Sequence, residues 1–162
     1  MKILKNLFLL SALLVSFSFA NAQEIQPLKN EEMVSKLLKN SDDKIVIVNL
    51  WAYWCSPCKE EFPDLVKFGK ENKDVANLVL ISLDEKGDLE TKTKPFLAKN
   101  NVDFVTYYNS FDKDEKLIMM LDKNWEGAIP STFFFKDGKL VKSLIGKQTE
   151  KEFKKAFDEV KQ

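Results

Sequence analysis

The spacing of hydrophobic positions changes several times along the chain, and each change marks an element. Leu7 to Phe19 is apolar apart from small serines. Met33, Val34, Leu37 and Leu38 share one helical face behind Asn30, a capping residue, so a short amphipathic helix is predicted from Asn30 to Asn40. Ile45 to Trp51 is then a continuous run rich in β-branched residues, the pattern of a strand covered on both sides. Phe62, Leu65, Val66 and Gly69 return to helical spacing, while Lys59, Glu60, Lys67 and Lys70 can face water. This stretch therefore reads as strand, turn, helix.

Beyond it, Leu78 to Leu83 is predicted as a second buried strand, Asp88 to Asn100 as a helix broken or begun near Pro95, and Phe104 to Tyr108 as a third strand. Asp112 to Lys123 reads as a helix with an apolar face from Leu117 to Leu121, which assigns Met119 and Met120 to the core. Thr132 to Phe135, expected in the core from Phe133 onward, and Leu140 to Ile145 flank Asp137-Gly138, a hairpin signature, so these two strands should be antiparallel. Thr149 and Glu152 form a capping box for a last helix with Phe153, Ala156, Phe157 and Val160 in one stripe. Strands alternating with helices, then a hairpin and a closing helix, define an α/β class with a mixed central β-sheet flanked by helices.

A chain of 162 residues supports one domain with a real core, and 44% apolar with 31% charged residues is the balance of a globular protein. All 25 basic residues are lysine and the net charge is zero, so no arginine forks or basic face point to nucleic acid as a partner. The first residues change the picture. Lys2 and Lys5, an apolar stretch too short to span a bilayer, and Ala20-Asn21-Ala22 as a small-x-small site predict a signal peptide over residues 1–22 and a domain over 23–162. A retained anchor is the alternative. Cleavage would remove two lysines and no acid, leaving a slightly acidic protein that is periplasmic or secreted, where a cysteine pair can be oxidised.

Cys55 and Cys58 are the only cysteines. With no histidine in the chain the four ligands of a zinc site are missing, so no metal is expected. A purely structural bridge would close a very short loop and remove little chain entropy. A redox pair accounts for the flanks as well. Cys55 falls where a strand ends and a helix begins, a place where free N–H groups favour a thiolate; Pro57 suits the first helical turn; Cys58, one turn in, should be the more buried, resolving thiol.

Trp51-Ala52-Tyr53-Trp54-Cys55-Ser56-Pro57-Cys58-Lys59, with Pro63 inside the following helix, closely resembles the thioredoxin active-site segment. Ala128-Ile129-Pro130-Ser131-Thr132 is similar to the loop whose cis-proline faces the disulfide in that family. Asn49 stands where cytosolic thioredoxins keep a buried aspartate, and Glu61-Phe62-Pro63 after the cysteines resembles the exported TlpA and ResA type. The resemblance implies a thioredoxin fold with an N-terminal extension and an inserted strand-helix unit around residues 84 to 108.

It also implies a thiol:disulfide oxidoreductase whose catalytic residues are Cys55, Cys58 and Glu61, with no cofactor beyond the redox-active disulfide. Glu61 has an ordinary alternative as a solvated helix charge. Trp54, Ser56, Pro57, Ile129 and Pro130 would meet the substrate, with Trp54 partly exposed, Trp51 buried, and Trp125 and Gly127 at the rim. Partners implied by the resemblance are protein thiols and disulfides, including the haem-attachment cysteines of apocytochromes c, and a membrane thiol carrier as electron donor to a monomer. Two other readings stay open: a thiol peroxidase of the peroxiredoxin-like branch, and a non-catalytic binding module that uses the Ile129-Pro130 groove.

Overall fold

The computed structural model describes residues 24–39 and 44–162; the segment read as a signal peptide lies outside the described residues. The apolar run Ile45–Trp51 forms β2, buried along its whole length, as its composition requires. It lies centrally in a six-stranded sheet of order β1-β4-β3-β2-β5-β6, where β1 is Ile25–Leu28, β3 Ala76–Ser82, β4 Thr106–Asn109, β5 Ser131–Lys136 and β6 Lys139–Ile145. The strands β1, β4, β3 and β2 run parallel, and β5 and β6 add antiparallel neighbours. The mixed sheet is thus the predicted one.

The helix α1 (Glu31–Lys39) begins as expected, with the Asn30 side-chain oxygen accepting from Met33 N at 3.0 Å. It packs with α4 (Asp114–Leu121) over one sheet face, on a core that includes Val48, Leu50, Leu117 and Phe133. The helices α2 (Ser56–Glu71), α3 (Lys94–Lys99) and α5 (Glu150–Lys161) cover the other face through Phe62, Leu97, Phe153 and Phe157. Burying one such ring stabilises the fold by about 1.5–3 kcal/mol relative to exposure. Thr149 and Glu152 cap α5 reciprocally, and Asp137 and Gly138 make the hairpin with φ of 54° and 73°. Gly69 is a point of close approach: a Cβ there would lie 2.5 Å from Leu78 Cδ2.

The structure adds one strand, refines one helix and corrects one expectation. The strand β1 carries Gln26 and Pro27 and lacks an apolar signature; it forms because the sheet edge tolerates proline and β4 supplies its ladder. The helix predicted over Asp88 to Asn100 as broken or begun near Pro95 does begin there, as α3 at Lys94, after a 3₁₀ turn at Lys86–Asp88 and a π-helical turn at Leu89–Thr93. Met119 is 65% exposed rather than core, because Leu117 and Leu121 already supply the buried side of α4.

Candidate functional site

The polypeptide leaves β2 at Trp51, turns through Ala52, Tyr53 and Trp54, and enters α2 at Ser56. Cys55 is the N-cap of that helix, in extended conformation (φ −83°, ψ 107°), with Pro57 in the first turn. Its Sγ accepts from Cys58 N at 3.2 Å, and Cys55 and Cys58 are joined as a disulfide. Cys55 is 5% exposed and Cys58 0%. Ser56 and Pro57 are exposed beside the bridge, Trp54 is 65% exposed, and Trp51 is buried against Phe62 at 4.6 Å between ring centroids.

Opposite the bridge, the Ile129-Pro130 peptide bond is cis, and Ile129 O lies 3.8 Å from Cys55 Sγ. The loop is tied on several sides. Ala128 O accepts from Trp125 Nε1 at 3.0 Å and from Ser131 Oγ at 2.6 Å, while Pro130 O accepts from Gly146 N at 2.8 Å. Pro130 is buried and Ile129 half-buried, so the chain presents a backbone edge rather than a side-chain pocket next to the sulfurs. Trp125 lies under the loop as a buried support, packed on Phe133 at 5.4 Å, and not on its rim.

Glu61 is 2% exposed, not a solvated helix charge. Lying three residues after Cys58 and four before Leu65, it belongs to the inward face of α2, a placement its spacing alone could have disclosed. Its Oε1 accepts from Asn49 Nδ2 at 3.0 Å and its Oε2 from Gln148 N at 2.8 Å. Burial pushes its pKa up to about 7, against the lowering influence of those two hydrogen bonds and of Lys147. Asn49, which donates also to Thr132 Oγ1 at 2.9 Å, keeps its Oδ1 without a partner among the described residues.

A second buried carboxylate flanks the same turn and escapes the sequence reading. Asp84 Oδ1 accepts from Tyr53 N at 2.8 Å, and Oδ2 accepts from Ser82 Oγ at 2.7 Å and Thr93 Oγ1 at 2.8 Å. It thereby joins the end of β3, the π-helical turn and the segment leading into Cys55. Only Ser-x-Asp at the strand end hints at it. Among the described residues no group of three or more His, Cys, Asp or Glu side chains is arranged to hold a metal.

Residues 20–143 match the AhpC/TSA family. The chain belongs to that family. Its relatives include the thiol-disulfide oxidoreductase ResA of a Bacillus cereus strain, 31% identical over 71% of this chain and 62% of that protein. The chain therefore spans less than two thirds of that relative's length. The sporulation thiol-disulfide oxidoreductase A of Bacillus subtilis (strain 168) is 25% identical over 86% of each chain. Of the solved structures, a DsbF homologue from Corynebacterium diphtheriae superposes with a TM-score of 0.61 at 23% identity, covering 72% of each chain. That likeness establishes the thioredoxin fold. In this AhpC/TSA member, the fold brings Cys55, Cys58, Ile129 and Pro130 together and sets Glu61 behind them on α2.

Proposed function

We propose that this AhpC/TSA member is a thiol:disulfide oxidoreductase that acts outside the cytoplasm and reduces disulfides of partner proteins through Cys55 and Cys58. The observation that carries the reading is the cap geometry: Cys58 N points at Cys55 Sγ from 3.2 Å, where it would hold a thiolate once the bridge is open. Ile129 O, beside the cis-proline, is a main-chain acceptor for an extended polypeptide lying across the sulfurs.

In the dithiol form the Cys55 thiolate attacks one sulfur of the substrate disulfide. A mixed disulfide forms, and the other substrate sulfur leaves as a thiolate that takes a proton from solvent. Cys58 passes its proton to Glu61, and its thiolate attacks Cys55 Sγ, releasing the second substrate sulfur. The substrate has gained two electrons and the protein ends with the bridge closed. Another dithiol must then reduce it. The resemblance to ResA-type proteins supports a membrane thiol carrier in that role, cysteines of apocytochromes c among the substrates, and action as a monomer; the charged start and small-x-small site of residues 1–22 support export.

Reduced Cys58→Ala should accumulate mixed disulfides with partner proteins, and Cys55 in the reduced wild type should alkylate with a midpoint well below the ordinary thiol value of about 8.5. An ordinary midpoint with no trapped adducts would reject the reading. Rapid peroxide consumption at Cys55 without adducts would assign the pair to a thiol peroxidase instead.

A further inference from the structure

Between α2 and α3, on the side of the helix away from Glu61, lies a recess of about 530 Å³. Its floor is aromatic. Tyr53 meets Phe96 edge-on at 6.0 Å, and Phe96 in turn packs on Phe62 at 4.8 Å and Trp51 at 5.3 Å. Asp84 fixes the Tyr53 backbone from behind, while the ring itself rests against Phe96 and Lys59. Lys59, Lys92 and Lys99 stand around it, and among the described residues no carboxylate lines it. Lys59 Nζ lies 4.9 Å from the Tyr53 ring centroid.

The nearby surface acids each have a lysine partner. Asp88 pairs with Lys92 at 2.9 Å, Glu90 with Lys94 at 2.5 Å, and Glu60 with Lys147 at 2.8 Å on the other side of α2. Among the described residues neither Lys59 nor Lys99 has an ion pair, so the recess keeps two unpaired lysines beside the Lys92–Asp88 pair, with the Asp84 carboxylate buried behind Tyr53. The location ties this charge to the chemistry. Tyr53 is two residues before Cys55 and Lys59 directly follows Cys58. A polypeptide whose cysteine engages Cys55 therefore has the recess as an immediate neighbour.

We propose that this recess docks an acidic segment of the polypeptide whose cysteine reacts with Cys55. The inference rests on the redox reading of the pair and adds a specificity element to it: carboxylates of the partner meet Lys59 and Lys99, and apolar stems beside them cover Tyr53 and Phe96. Charge at this position steers encounter and sets register, which shows chiefly in the association rate.

Two cysteine-free peptides test the docking alone, one with three glutamates in an otherwise neutral extended sequence and one with glutamines in their place. Titrated into the oxidised protein while the amide resonances of Tyr53, Phe96 and Asn100 are followed, the glutamate peptide should bind about five-fold more tightly, as expected for two partly exposed ion pairs. Raising the salt from about 0.05 to 0.5 M should erase the difference, because such pairs are screened. The double variant Lys59→Gln, Lys99→Gln should erase it as well. Equal binding of both peptides, or shifts confined to other surfaces, would overturn the proposal. The same peptides, each carrying a disulfide-linked cysteine, are then presented to the reduced protein. Docking without exchange would retire the redox reading, and exchange at equal rates for both would retire the recess as a specificity element.

Discussion

Two carboxyl groups are buried on either side of the turn that carries Cys55, and they are equipped for different work. Asp84, 3% exposed, accepts hydrogen bonds from a backbone N–H and two hydroxyls drawn from three separate segments. Glu61, 2% exposed, accepts from one backbone N–H and one side-chain amide, and its pKa is raised to about 7 by desolvation. Burial is nearly the same in the two places; the supply of donors and their attachment differ. The first site spends its acceptors on geometry, while the second keeps a group that can take up or release a proton near neutrality.

The comparison breaks hardest at Asp84. Asp84→Ala leaves three donors without their acceptor and should cost about 3 kcal/mol or more, read from urea denaturation, with slower disulfide exchange because Tyr53 N loses its tie. Next comes the pH slope from Glu61. Its folded pKa of about 7 exceeds the ordinary 4.5, so between those values the native state binds more protons than the unfolded one, and stability falls as pH rises through that window. The loss reaches about 3 kcal/mol above the upper value. Glu61→Gln should remove the slope, melting near the wild type at pH about 5 and above it at pH about 8, and should flatten the rise of exchange rate through neutrality.

Smaller effects sharpen the contrast. Thr93→Val removes one of the three donors to Asp84 and should lower stability by about 1 kcal/mol in the same denaturation assay. Lys147→Gln should have the least effect. It lifts one lowering influence from Glu61 and should move the midpoint of its titration slightly upward, as followed by the carboxyl carbon resonance.

The legible parts of the chain were those in which local pattern and tertiary demand agree. The Ile45–Trp51 strand, the turn into α2, the Asp137-Gly138 hairpin and the Thr149 capping box each depend on neighbours a few residues away. The cis-proline opposite the thiols was legible through resemblance, and Cys58 lies deeper than Cys55 as the helical turn requires. What escaped depends on distant partners. Thr93 meets Asp84 only because the insertion folds back over β3, and the π-helical turn that places it leaves no periodic trace. The short strand β1 exists through its pairing with β4, far along the chain, and not through its own residues.

The tight seat of Gly69 on Leu78 has a bearing on the other end of its helix. A side chain at position 69 would lift this tail off β3, and the resulting tilt would reach the tip, about four turns away, softened by the bend that Pro63 allows between them.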